Sequence, residues 1–170
     1  MRFLKLVFIS IIVLFIVVTF VFSLFPADIH LSRVISIQAP SEKVAAAVND
    51  LNTWKDWNIM VSENSATPDS VSNPSSGEGS FIVRGPMRII ITRSSKDTIA
   101  THWEQKGKKQ FNGGFAISEA QRSGTYVEWY FDFHFRWYPW EKLGSIFYDK
   151  QIGPLMEKSL VNLKSYIENH

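Results

Sequence analysis

Cysteine is absent from the chain. That absence excludes disulfides, thiolate catalysis and Cys-ligated metals. Histidine is scarce: His30, His102, His134 and His170 stand far apart, with no H-x-x-x-H pair and no H-E-x-x-H motif. Nothing in their spacing points to a metal. Phosphate-binding loops are missing too. Gly77-Glu78-Gly79 and Gly113-Gly114 lie in no G-x-x-x-x-G-K-[ST] context and at no strand-to-helix turn. No G-x-S-x-G nucleophile elbow occurs. No cofactor is implied by any of these patterns. Excess charge is small as well. The formal +2 comes from Arg2 and Lys5, because all 16 acidic residues and the other basic ones follow Pro26. A near-neutral domain gives no support for nucleic-acid binding.

Apolar residues dominate the start of the chain. Leu6 to Phe25 reads LVFISIIVLFIVVTFVFSLF, uncharged, with Ser10, Thr19 and Ser23 as its polar side chains. At about 1.5 Å per residue, roughly 20 residues span about 30 Å, the thickness of a bilayer's hydrocarbon core. A cleaved signal peptide has a shorter apolar region and a small-x-small cleavage site. Here Leu24, Phe25 and Pro26 stand where small residues are wanted. The expectation is a transmembrane anchor over residues 1–27 and one domain over 28–170. Arg2 and Lys5 place the N-terminus in the cytoplasm and the domain on the extracytoplasmic side of the membrane.

Aromatics are plentiful, with 13 Phe, 6 Trp and 5 Tyr, and every Trp lies in the domain. Ile29 to Ile37 alternates as a strand. Ala39-Pro40-Ser41-Glu42 starts a helix, with Ser41 as a possible cap. Thr53 to Trp57 reads as a second, short helix. Residues 62–79, rich in Ser, Asn, Pro and Gly, read as a loop with an edge strand near Ser70. Strands are then expected at Ser80–Arg84, Met87–Arg93, Thr98–Gln105, Gln110–Ala120 and Gly124–Trp137, an antiparallel meander. Gly113-Gly114 suggests a bulge or bend. Leu143, Phe147, Ile152, Leu155, Met156, Leu160, Leu163 and Ile167 share one face of a C-terminal helix. Pro154 is expected to kink it.

Local sequences sharpen this order. Val34-Ile35-Ser36-Ile37-Gln38-Ala39-Pro40-Ser41-Glu42-Lys43-Val44 resembles the "I-x-A-P-x-E-x-V" opening of the START-like, Bet v 1-like helix-grip superfamily. Asp50-Leu51-Asn52-Thr53-Trp54-Lys55-Asp56-Trp57 is similar to its "D-L-x-x-W-x-x-W". Gly153-Pro154-Leu155-Met156-Glu157-Lys158-Ser159-Leu160-Val161-Asn162-Leu163-Lys164 resembles the ending of its polyketide cyclase/dehydrase-like (SRPBCC) branch. The chain departs from the pattern after Trp57, where Asn58-Ile59-Met60 replaces "S-P-W" in a loop that borders the pocket in that family. The resemblance implies an α+β fold: a curved antiparallel sheet wrapped around a long C-terminal helix, preceded here by one transmembrane helix. It also implies a hydrophobic cavity between sheet and helix. It does not imply one activity, since the family includes lipid carriers and cyclases.

Val127, Trp129, Phe131, Phe133, Phe135 and Trp137 share one face of the last strand; Glu128, Tyr130, Asp132, His134 and Arg136 share the other. The apolar face either fills a core or lines a cavity. The candidate lining on the sheet is Phe81, Val83, Ile91, Trp103, Phe115, Trp129, Phe131 and Phe133. Met156 and Leu160 on the long helix and Trp57 at one end complete it. Trp54 and Trp57 alternatively clamp their short helix to the sheet. Glu104, Glu128 and Asp132 read as a solvated face. The leading expectation is a membrane-anchored module that binds a hydrophobic small molecule or lipid without catalysis. An interaction module with a filled core and a cyclase- or hydrolase-like enzyme are the alternatives.

Overall fold

Alternation of large apolar and polar side chains, clearest from Val127 to Phe135, builds a sheet with one dry face. The structure, a computed structural model, describes residues 2–24, 28–62, 70–107, 110–120, 124–135 and 139–169, with the side chains of Arg2 and of 139–147 left out. The elements in order are α1 (Arg2–Ser23), β1 (Asp28–Ile37), α2 (Ser41–Asn49), α3 (Trp54–Trp57), α4 (Ile59–Ser62), β2 (Ser70–Val71) and β3 (Phe81–Arg84). There follow β4 (Met87–Ser94), β5 (Thr98–Gln105), β6 (Phe111–Glu119), β7 (Thr125–His134) and α5 (Pro139–Asn169).

The seven strands form one antiparallel sheet in the order β1-β7-β6-β5-β4-β3-β2. β1 pairs with β7 along its whole length, from Asp28↔His134 to Ile37↔Thr125. The first strand therefore closes against the last, and α5 packs on the concave face. This is the helix-grip arrangement. α1 has the length and composition of a membrane span or of a signal sequence. Its apolar side chains are largely exposed, as with Phe8 and Leu14.

Three local expectations change. Pro40, not Ser41, occupies the N-cap of α2, and no side chain caps the helix. The Ser41 hydroxyl instead donates to Glu119 Oε1 on β6, at 3.3 Å. At Gly113-Gly114 the register runs on regularly through both neighbouring strands. The irregularity lies in β4, between Ile91 and Arg93. The two glycines serve close approach. A Cβ on Gly113 would stand 2.4 Å from Phe131 Cδ1, and one on Gly114 2.8 Å from Tyr130 Oη. Removing both Cβ atoms lets a β7 ring lie over each face of β6. The third change concerns α5, which begins at Pro139, earlier than its apolar pattern indicates, and carries Pro154 within its span. Trp137 and Arg136 lie outside the described residues, as do the side chains of Leu143 and Phe147.

The core is aromatic. Trp54, Trp57, Trp103, Phe115, Trp129 and Phe131 are all buried to within 2% of full enclosure. Phe115 stacks on Trp129 at 5.1 Å between centroids, and Trp57 meets both edge-on. Trp103 meets Phe131 edge-on at 5.2 Å. Such offset and edge contacts add about 0.5–1.5 kcal/mol per pair beyond area burial. Val44 and Val48 of α2 and Met156, Leu160, Leu163 and Ile167 of α5 complete this interior. Trp54 and Trp57 thus clamp their helix to the sheet.

Candidate functional site

Close packing stops short of one end of the grip. Between α5, α4 and the ends of β5, β6 and β7 a pocket of about 380 Å³ remains. Inward alternation on β7 brings Phe133 and Phe135 to its wall. On α5, Tyr148, Ile152 and Leu155 fall at helical spacing on one face and form the opposite wall. Trp103 and Phe111 form the floor, while Ile59, Met60 and Met87 close the side. The polar groups are Gln105, Gln110, Gln151, the Tyr148 hydroxyl and His134. The described lining holds no Asp, Glu, Lys or Arg.

This pocket differs from the expected one. Of the residues expected to line a cavity, Trp103 and Phe133 do so. Trp57, Ile91, Phe115, Trp129, Phe131, Met156 and Leu160 instead fill the core, each at most 2% exposed. The rings of Trp57, Phe115, Trp129 and Phe131 meet one another there. Phe81 and Val83 sit on the opposite face of β3, because Ile82 and Arg84 take the buried positions. The Arg88 guanidinium lies over the Phe81 ring, 4.6 Å from its centroid, on that outer face. The pocket residues absent from the expectation come mostly from strand ends and from α4, where alternation is too short to read. The signal that could have found Ile59 and Met60 is the departure from the family pattern after Trp57.

α5 is fixed over the pocket by an ionic clamp from β1. Arg33 points inward; its Nε donates to Glu157 Oε1 at 2.6 Å and its Nη2 to Asp149 Oδ1 at 2.7 Å. Hydrogen bonding to Asp149, then to Glu157, raises the guanidinium pKa above its ordinary value. Gly153 lies between the two acids on the helix, and a Cβ there would stand 2.4 Å from Arg33 Nη2. The glycine of the Gly153-Pro154 pair therefore admits the guanidinium against the helix backbone.

On the outer face, the described histidines pair with neighbours across the strands. His30 Nδ1 lies 2.7 Å from Asp132 Oδ1, His134 Nδ1 2.6 Å from Asp28 Oδ1, and His102 Nδ1 2.7 Å from Asn112 Oδ1. Burial pushes the Tyr130 phenol pKa up, helped by Asp132 and Glu128. No cluster of three or more His, Asp or Glu among the described residues is placed to hold a metal. Glu104, Glu128 and Asp132 lie on this solvent-facing side. The His134–Asp28 pair joins the pocket rim to the first residue of β1, so the pocket opens at the end of the sheet where the chain arrives from α1.

A curved antiparallel sheet gripping a long helix, with an apolar pocket left at one end, defines a START-like helix-grip protein. The chain belongs to the family described as polyketide cyclase/dehydrase and lipid transport, whose profile matches residues 28–168. No curated protein matches the chain. Among solved structures it is similar to DynU16, a protein of the dynemicin biosynthetic locus, at 16% identity and TM-score 0.58. That match covers 82% of this chain and 47% of DynU16, so the chain spans about half of that protein's length. A protein from Nitrosospira multiformis is similar at 12% identity and TM-score 0.63, over 82% of this chain and 96% of its own. A protein of unknown function from Staphylococcus aureus is similar at 15% identity and TM-score 0.60, over 84% and 96%. These likenesses establish the fold.

Proposed function

We propose that this is a membrane-anchored module that binds a hydrophobic small molecule or lipid, taken from the bilayer, without transforming it. The observation that carries the reading is the shared position of pocket and anchor. His134 lines the pocket and also pairs with Asp28, where β1 begins. Leu24 ends the described part of the anchor segment. The intervening link can reach no more than about 3.3–3.6 Å per residue. The pocket mouth is thus held close to the lipid surface, and an apolar ligand has little water to cross. The family's lipid-transport description supports the same reading. Against an enzyme stands the setting of the His134–Asp28 pair. A carboxylate orients the histidine base in catalytic triads, but these side chains are 74% and 83% exposed, a solvated pair beside the pocket.

The test is native mass spectrometry of the full chain extracted gently from membranes, with the anchor segment alone as control. A hydrophobic molecule should copurify with the full chain. Leu155→Trp should fill the pocket and lower that occupancy about tenfold, the effect of losing ~1.4 kcal/mol of binding. No molecule enriched over the control would sink the reading and favour an interaction module with a filled core.

With Arg2 and Lys5 inside, the domain is placed on the extracytoplasmic side. Protease added to intact spheroplasts should digest it. Protection until lysis would reverse the orientation.

A further inference from the structure

The long helix carries a weak point beside the pocket. Pro154 has no N–H, so the carbonyl of Lys150 loses its helical partner. Gly153, just before it, is the residue type that resists bending least. Tyr148, Gln151 and Ile152 of the pocket wall lie on the N-terminal side of this pair, and Leu155 follows it. Further on, Met156, Leu160, Leu163 and Ile167 fasten the helix into the core. The pair thus divides α5 into a core-bound shaft and an arm that walls the pocket.

Arg33 spans that joint. Asp149 lies four residues before Gly153, and Glu157 three residues after Pro154. The guanidinium holds Asp149 at 2.7 Å and Glu157 at 2.6 Å, and its Nη1 donates to the Ser32 carbonyl at 2.9 Å. Its three nitrogens are therefore engaged one each by the arm, the shaft and the β1 backbone. Gly153 leaves the fork room to reach both acids, since a Cβ there would collide with Nη2. The bond to Asp149 ties the arm to β1, while the Tyr148 ring rests 4.9 Å from Phe133 and 5.5 Å from Phe135 between centroids. Asp149 and Glu157 are 62% and 60% exposed, so water replaces either bond at modest cost. A contact of that kind releases and re-forms, which a buried ion pair does not.

We propose that Arg33 is the latch of a swinging arm. When Asp149 is released and Glu157 stays held, α5 bends at Gly153-Pro154, Tyr148 and Ile152 draw away from Phe133 and Phe135, and the pocket opens. Re-forming the Asp149 bond closes it. The device governs access to the pocket whatever molecule occupies it, and so goes beyond the binding reading above.

The lack of cysteine makes the opening measurable. Ile59→Cys places a single thiol on the pocket wall, at a position 5% exposed. Ile117→Cys places one in the core toward the far end of β6, at a position 4% exposed. Each full-length variant, in nanodiscs of neutral lipid, is treated with a maleimide. Where reclosing outpaces reaction, the rate of modification follows the open population. Asp149→Asn should raise the rate at the pocket thiol about threefold, the scale of an exposed ion pair, and leave the core thiol unchanged. Glu157→Gln should raise it less, because the arm stays tied to β1. Pro154→Ala restores the missing N–H and should cancel the increase caused by Asp149→Asn. An equal rise at both thiols would mean that Asp149→Asn loosens the whole domain, and no rise at the pocket thiol would mean that this bond does not hold the pocket shut. A rise that survives Pro154→Ala would put the movement elsewhere than Gly153-Pro154. Each of these three results would overturn the inference. No ligand is added, so the outcome is independent of whether a hydrophobic molecule copurifies with the chain.

Discussion

Trp129→Ala lowers the stability of the 28–170 domain by about 3–5 kcal/mol, the range for truncating a buried aromatic. The indole is fully enclosed. It stacks on Phe115 and meets Trp57, Trp103 and Phe131, so its removal leaves a cavity that four rigid rings cannot collapse to fill. Phe131→Ala belongs in the same range. Two controls separate packing from strand placement. Glu128→Ala and Asp132→Ala, on the solvent-facing side of the same strand, should each change stability by no more than about 0.5 kcal/mol. Trp129→Phe should cost far less than the alanine change. The ring is largely retained, and the Trp129 Nε1 proton, buried with no described acceptor, is removed along with its desolvation penalty. Urea denaturation of the domain gives all five values. If the two acidic positions proved the costlier ones, β7 would be facing the wrong way.

How far such a result is foreseeable from sequence depends on the strand. β7 was legible because large apolar and polar residues alternate from Val127 to Phe135, and the period of two assigns each to a face. β3 was not. Phe81-Ile82-Val83-Arg84 offers three apolar residues in a row, so no alternation marks the inner pair. Polarity points the wrong way as well, because Arg84 is the buried partner of Ile82. The pairing of Ile82 with Ile89, whose side chain is buried on β4, settles the face. That is a tertiary fact. The order of elements was legible from turn residues and helical spacing, and Gly113-Gly114 was visible as a special place. Its meaning was not, because the rings of Tyr130 and Phe131 that demand it come from another strand. The division between core and pocket was hidden for the same reason. Whether six aromatic rings enclose a space depends on how rings from α3, β5, β6 and β7 interlock, and no single strand carries that information. The polar rim was beyond reach too, since Gln105, Gln110 and Gln151 are unremarkable surface residues until the fold brings them to one opening.

Deleting α1 should leave the domain folded and strip it of its ligand. The buried core begins at Leu31, and its members all lie in the domain. β1 keeps its full pairing with β7 from Asp28 onward, and Arg33 still holds α5. A fragment starting at Asp28 should therefore show mixed α/β circular dichroism and a cooperative melt. An aggregated or unfolded fragment would mean that the packing of α1 against α5 is part of the fold. Ligand content is the larger expected change. On the anchored reading proposed above, the pocket of the full chain opens toward the membrane, and a lipophilic molecule enters from a phase where it is concentrated. The free fragment meets the same molecule only at its low aqueous concentration. Occupancy follows the free ligand available, so the copurifying molecule should fall by more than about tenfold, even though the pocket is unaltered. Adding the ligand in excess to the folded fragment should restore binding, which distinguishes lost supply from a damaged site. Undiminished occupancy in the fragment as isolated would show that the pocket fills from water, and that the anchor serves location rather than loading.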